Sequence, residues 1–444
     1  MGGNLTRTPS SAPAAERRKY TISCWIKMQE IGAEHHLIYA YDSGNSTYLR
    51  FGSNAKIRFR LYDGGDISYL ESDTVFRDSS AWYHVVLQFN TYEGSSADRV
   101  KIYVNGTKIT DLGTDIYPSS EYMGLVNATV SQQIPSTGDG DSYFADYYMC
   151  AGYIYAPTVF ANTDSVSGQW KAITDPTVSF GTNGFHLKFE NAANMGLDSS
   201  GNGNNFTSNS EAANPQRDDT PSNNFPQFND KANRYWAGTF DRNNLRTQGG
   251  NSQATFCAAN MGVEKGKWYY EYQATNIGSG TDNNLVGAVS RPDSVGTSDS
   301  LGSSDGLSVV YRNDGTVKYS GTNYAGVGPA WTTSDIIAVA LDIDNNRITF
   351  SKNGQWIDGS GNADEASPTA WYTFPAAMQT DAIAFPCIGD LSTNSPNSGG
   401  EFNFGQPVFG ISSAQTDAAG YGKFEYTPPT GFYAICTKNI GTYG

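Results

Sequence analysis

The chain has few of the residues that usually announce chemistry. Five cysteines occur in 444 residues, at Cys24, Cys150, Cys257, Cys387 and Cys436. Their odd number and wide spacing exclude a CxxC metal site and a dense disulfide framework. Cys24 stands in YTISCWIKM on one face with Ile22, Ile26 and Met28, the place of a small core residue. The four histidines, His35, His36, His84 and His186, fall in no HExxH pattern and no Cys/His cluster. There is no G-x-S-x-G and no phosphate-cradling loop that opens a helix. No apolar run approaches ~18 residues, so no membrane insertion is expected. The opening MGGNLTRTPSSAPAAERR has no apolar core, so no signal peptide is read there. Together with the scattered cysteines, this fits a protein made in a reducing cytoplasm. Basic charge is also scarce: 29 Lys and Arg face 44 Asp and Glu, a net charge of −15. The longest basic cluster is Arg17-Arg18-Lys19. A phosphate lattice would be repelled, so no nucleic acid is expected as a partner.

What the chain has in plenty is Gly (48), Tyr (28) and Phe (22), with Asn, Ser and Asp between them. That mixture suits short strands joined by many turns. Strands are read at 19–28, 36–41, 47–51, 56–62, 82–89, 100–104, 147–156 and 185–190. The stretch 157–173 is read as holding a short helix. From 191 to 235, Asn, Ser, Gly, Asp and Pro dominate, which predicts a linker or a surface-hugging connection. Strands resume after 236. KWYYEYQA puts Trp268, Tyr270 and Tyr272 on one face. DIIAVALDID is apolar on both faces, as a central strand would be. The tail from 411 to 444 is too aromatic to be loose and is expected to pack on the second domain. The fold class is therefore all-β: two antiparallel β-sandwich (jelly-roll) domains, 1–190 and 236–444, around a 191–235 linker.

One phrase occurs twice. RVKIYVNG starts at Arg99 and RITFSKNG at Arg347. Each is an alternating strand followed by Asn-Gly, which tolerates positive φ at both central positions of a tight hairpin turn. The phrase predicts one such hairpin in each sandwich.

These stretches carry two resemblances. YTISCWIKM, VFRDSSAWYHVVLQFNT, ADRVKIYVNGTKIT and GTNGFHLKFEN resemble a laminin-G-like, concanavalin-type sandwich. GKWYYEY, GTVKYSG, SDIIAVALDIDNNRITFSKNGQ and FNFGQPVF resemble a SPRY domain. The whole order, LTRTPSSA, the laminin-G-like unit, DSSGNGNNFT, the SPRY unit and PPTGFYAICTKNI, is similar to virion structural proteins of tailed phages, many from aquatic bacteria. The resemblance implies a non-enzymatic virion protein, a tail fibre or adhesin touching host-surface glycan; the alternative is capsid decoration or a head fibre. It implies other virion proteins as partners, and by analogy with phage fibres a homo-oligomer, with a trimer the first expectation.

Candidate sites follow from the same reading. Concanavalin-type glucanases carry a paired-carboxylate E-x-D-x-x-E strand, because acid and nucleophile must flank one bond. Glu71-Ser72-Asp73 begins that pattern, but Phe76 stands where the second Glu belongs, so Glu71 is read as a solvated strand residue and no catalytic residue is assigned. His84 is read as a packed sandwich histidine and His35-His36 as a loop pair. Laminin-G-like sandwiches often hold calcium at a loop rim; by that resemblance Asp42, Asp139, Asp141 and Asp146 are the candidate ligands, and no other cofactor is expected. For glycan, the aromatic cluster Tyr311, Tyr319, Tyr324 and Trp331 among turns is the candidate contact surface.

Overall fold

Alternation of apolar and polar residues carries most of the chain into strands. The computed structural model describes residues 4–165, 168–209, 216–229, 238–249, 255–277, 284–293, 301–390 and 398–444. The chain divides into two units, Met1–Ser222 and Asn223–Gly444.

In the first unit, eight strands lie in the order Leu112–Ile116, Asp66–Ser72, Ile57–Tyr62, Asn45–Phe51, His35–Asp42, Gln132–Ile134, Leu5–Arg7, Thr207–Ser208. A second sheet of six runs Phe185–Leu187, Ser142–Ala151, Lys19–Met28, Tyr83–Asn90, Val100–Val104, Thr107–Lys108. The inward faces share one core. Ile22, Cys24 and Ile26 of one sheet and Leu49, Phe51 and Phe59 of the other are all fully buried in it.

The second unit repeats the plan. Lys267–Asn276 pairs antiparallel with both Gly399–Asn403 and Ile336–Asp342. Ile336–Asp342 pairs onward with Arg347–Lys352, so DIIAVALDID is central, as its composition predicts. The facing sheet runs Thr255–Ala258, Phe385–Asp390, Leu285–Val289, Ser308–Arg312, Val317–Tyr319, Thr322–Tyr324. Trp268, Tyr270 and Tyr272 fill the core between the sheets. Two of those rings meet an acceptor that removes the cost of burying a hydroxyl: Tyr270 donates to Gly287 O at 2.6 Å and Tyr272 to Asn284 Oδ1 at 2.8 Å. Ala338 and Ala340 face the other way, into a smaller cluster with Phe424, Phe432 and Cys436 of the tail. Glu271 fastens that tail. Its carboxylate accepts from Glu425 N at 3.0 Å, Tyr426 N at 2.8 Å, Asn403 Nδ2 at 2.9 Å and Tyr269 Oη at 2.9 Å.

The repeated phrase makes the same hairpin in both units. Val104 pairs with Thr107, and Lys352 with Gln355. Asn105 and Gly106 have φ of 48° and 79°; Asn353 and Gly354 have 51° and 82°. The asparagines also act alike beyond the turn. Asn105 N donates to His84 O and Asn105 Oδ1 accepts from His84 N, both at 2.8 Å. Asn353 makes the same two 2.8 Å bonds to Ile336. Each glycine lies under a ring: a Cβ on Gly106 would come within 2.8 Å of Trp170, and one on Gly354 within 2.5 Å of Tyr426.

Three segments differ from expectation. The strand read at 147–156 is Ser142–Ala151. Gly152, at φ 87°, turns the chain out, and a bulge near Asp146 (φ 46°) hides the alternation of 142–146. The helix read in 157–173 is instead one 3₁₀ turn, Pro157–Val159, and a hairpin of Ala161–Thr163 with Trp170–Ala172. Its apolar residues cover a sheet: Phe160 is buried with Val86, Tyr148 and Cys150. The 191–235 stretch is built into the two units. Phe206 is buried in the first core, Thr207–Ser208 pairs with Leu5–Arg7, and Asp219 is buried at 2.6 Å from Lys27 Nζ. Phe225 and Phe228 are buried in the second unit. Residues 210–215 and 230–235 of that stretch lie outside the described residues.

Candidate functional site

The four aromatic candidates separate into two classes. Tyr311 and Trp331 are core residues, 0% and 2% exposed. Tyr311 stacks on Phe350 and donates to Pro329 O. Both fall in strand and turn sequence that looks no different from exposed sequence, so composition alone could not sort them. Tyr319 and Tyr324 are brought together at the end of the six-stranded sheet. Tyr319 pairs with Thr322 around Ser320 and Gly321, both at positive φ. That two-residue turn places the tyrosines diagonally on one face. Their rings stack at 4.5 Å with planes 10° apart, and Tyr324 is 37% exposed. Burial, then the contact with the Tyr324 hydroxyl, pushes the Tyr319 phenol up to about 12, so it stays neutral and able to donate.

The histidines are all buried. His35 and His36 belong to the strand His35–Asp42 rather than to a loop. Like His35, whose Nδ1 lies 2.8 Å from Ser142 Oγ, His84 presents an arrangement that resembles catalytic chemistry, with Nε2 at 2.8 Å from Ser23 Oγ. Its other nitrogen disqualifies it. Trp170 Nε1 donates to His84 Nδ1 at 3.0 Å, so Nδ1 is the acceptor and Nε2 carries the proton. The ring therefore donates to Ser23 and cannot take its proton, the reverse of a serine–histidine base. Burial also pushes His84 down to about 3.

Glu71 and Asp139 are engaged in structure. Glu71 is half-buried rather than solvated: Arg58 Nε donates to it at 2.6 Å, held by pairing of the two strands. Phe76 packs on Phe51 and Tyr83 at 5.4 and 5.5 Å, so no second carboxylate faces Glu71 from that position. Asp139 accepts from His36 N at 2.7 Å, His36 Nδ1 at 2.8 Å and Ser136 N at 2.9 Å. Asp42 and Asp141 are exposed, and Asp146 lies 3.7 Å from His186 Nε2. The structure does not gather the four aspartates, and among the described residues no three His, Cys, Asp or Glu side chains form a metal-holding group.

A polar cleft of about 460 Å³ joins the phrases LTRTPSSA and DSSGNGNNFT. LTRTPSSA supplies Thr6, Arg7, Thr8 and Ser10; DSSGNGNNFT supplies Asn204 and Thr207. Asp198 folds the second phrase into a loop. It accepts from His186 N at 2.9 Å and from Ser200 N, Ser200 Oγ and Asn204 N at 2.8 to 2.9 Å. Gly201 and Gly203 take the positive φ this requires. Arg7 reaches across to Asn183 O at 3.1 Å and Asn204 Oδ1 at 2.5 Å. Hydroxyls and amides suit hydrogen bonding to a polar ligand, and the lining residues offer no nucleophile–base pair.

Residues 2–124 match the family described as the concanavalin A-like lectin/glucanases superfamily, and residues 267–406 match the SPRY domain. The SPRY domain of human HERC1 is similar over 39% of this chain and 96% of its own, at 19% identity and a TM-score of 0.30. The native heptameric SAP-like pentraxin from Limulus polyphemus is similar over 40% of this chain and 89% of its own, at 12% identity and a TM-score of 0.28. No curated protein matches the chain in sequence. The chain thus carries a concanavalin A-like domain followed by a SPRY domain, and its fold is that of all-β sandwiches.

Proposed function

We propose that the chain is a non-enzymatic structural protein of a tailed-phage particle that binds host-surface glycan, as a tail fibre or related adhesin does. The observation that carries glycan binding is the stacked Tyr319–Tyr324 pair, two rings at a sheet edge with one open to solvent. Such a pair offers an apolar face to the C–H face of a sugar and hydroxyls at its rim. The non-enzymatic part is supported by two arrangements: Ser23 accepts from a histidine whose other nitrogen is taken by Trp170, and Glu71 is held by Arg58. Weak single contacts repeated over copies in an oligomer, with a homotrimer expected, would give avidity.

Gold-labelled antibody on purified particles tests the placement. Label at the tail or fibre tips is the expected result; label over the head makes the protein a capsid decoration. Binding of the full chain to host cells tests the contact. Tyr319→Ala with Tyr324→Ala should reduce it about tenfold or more, and undiminished binding would remove this pair from the proposal.

A further inference from the structure

The strand Lys19–Met28 sends Ile22, Cys24 and Ile26 into the core of the first unit, and alternation puts Lys27 on the opposite face. A lysine on such a face ordinarily reaches water. This one meets Asp219 instead: Nζ lies 2.6 Å from Oδ2, and both side chains are 0% exposed. Aromatic rings stand beside the pair. Tyr143 is the register partner of Lys27, and its ring lies 6.2 Å from that of Trp82. The indole N–H of Trp82 donates to Asp219 Oδ1 at 3.3 Å. The carboxyl is thus shared out, one oxygen to the amine and the other to the indole.

Lys56, Lys101, Lys171, Lys188, Lys267 and Lys352 also meet a carboxylate, but their side chains are 23 to 40% exposed. Water keeps both members of such a pair charged. In a dry pocket each ion costs several kcal/mol in lost hydration. A proton passed along the 2.6 Å contact removes both charges and leaves an amine beside a carboxylic acid. Burial lowers the Lys27 pKa in the same sense, against the pull of Asp219 and Asp78. A desolvated, neutral lysine amine is a nucleophile, and this one is already held against the group it would attack.

We propose that Lys27 and Asp219 condense with each other to an isopeptide bond, a covalent cross-link within the first unit. The Nζ lone pair forms the new bond to Cγ. The carbonyl electron pair moves onto Oδ1, where the Trp82 N–H meets the growing charge. The carbonyl then re-forms as Oδ2 departs, taking two of the three ammonium hydrogens as water. Nothing is oxidised or reduced, and no co-reactant is consumed. A neutral amide replaces two buried charges, which favours the product. The ion pair is the reactant. The product joins two positions 192 residues apart.

The test is denaturing mass spectrometry of the full chain, freshly purified and again after prolonged incubation. The wild-type mass should fall below that of its sequence by one water. A tryptic digest should then yield one branched peptide that carries both Lys27 and Asp219 and is uncut after Lys27. Lys27→Arg and Asp219→Ala should keep the full mass. Asp219→Asn should lose one ammonia instead, since its leaving group is an amine. Trp82→Phe keeps a ring but removes the N–H, and should slow conversion about tenfold; an unchanged rate overturns the role given to the indole. Circular dichroism checks that each variant folds, and the wild-type mass decides the matter without them. Folded wild-type chain that stays at full mass overturns the proposal. So does a lost water that persists in Lys27→Arg, or one that maps to a succinimide such as Asp139-Gly140 and leaves Lys27 and Asp219 on separate peptides. Mass also separates the two forms, so the energetics of the ion pair belong to the uncondensed chain.

Discussion

Asn105 and Asn353 each hold a left-handed turn position and cap the neighbouring strand through the side-chain oxygen. Alanine would be strained at that φ and would strip the acceptor from a backbone N–H. Asn105→Ala or Asn353→Ala should therefore cost about 2 kcal/mol, read as a lower midpoint of guanidinium unfolding. His84 supplies a pH signature. Burial pushes its folded-state pKa down to about 3, against ~6.5 in an unfolded chain. Between those values the unfolded chain binds a proton that the native chain refuses. This contribution is complete above pH ~6.5 and is lost as pH falls toward 3, by up to ~1.4 kcal/mol per unit. The urea transition of the first unit should show that slope between pH 4 and 7, and His84→Gln should flatten it. Glu271 adds a slope of the other sign. Burial, outweighing its hydrogen bonds, pushes it up to about 7, so the proton favours the native state and stability from this group declines as pH rises from ~4.5 to 7.

At the scale of elements, the ion pair of Lys27 with Asp219 ties the strand Lys19–Met28 to the 216–222 segment. Neither side chain reaches water, and burial lowers the Lys27 pKa against the pull of Asp219. Trp82 Nε1 adds a 3.3 Å bond to Asp219. Asp219→Ala takes the carboxylate away from a buried cation and should destabilise the first unit by about 3–5 kcal/mol, whereas Lys27→Met with Asp219→Leu should fall much closer to wild type. A comparison of their unfolding free energies checks this. The same segment shows where sequence legibility ends. Lys19–Met28 and Val100–Val104 were legible to the residue because period two is uninterrupted there. Asp219 was not, because a lone carboxylate in polar sequence gives no sign of a lysine 192 positions away. Nor was the Trp170 hairpin, since a strand three residues long carries no period.

For the whole molecule, the chain divides at Ser222 into two units, each with its own core. Calorimetry should resolve two transitions, and Asp219→Ala should move only one of them. The all-β character and the twin hairpins could be read in advance because both rest on local pattern. The candidate surfaces were only partly legible. Tyr319 and Tyr324 stood among the aromatic candidates, but sequence could not separate them from Tyr311 and Trp331, whose burial depends on the facing sheet.

The buried Lys27–Asp219 pair also sets how the first unit bears tension. Asp219 lies just ahead of the boundary at Ser222. A pull arriving along the chain from the second unit meets this pair before it meets the ladder of Thr207–Ser208 on Leu5–Thr6. Two opposite charges in a dry pocket resist separation steeply over a short distance and hardly at all once water enters. The ion pair is thus a brittle latch: stiff against thermal jostling, then yielding at a threshold, with the short ladder behind it.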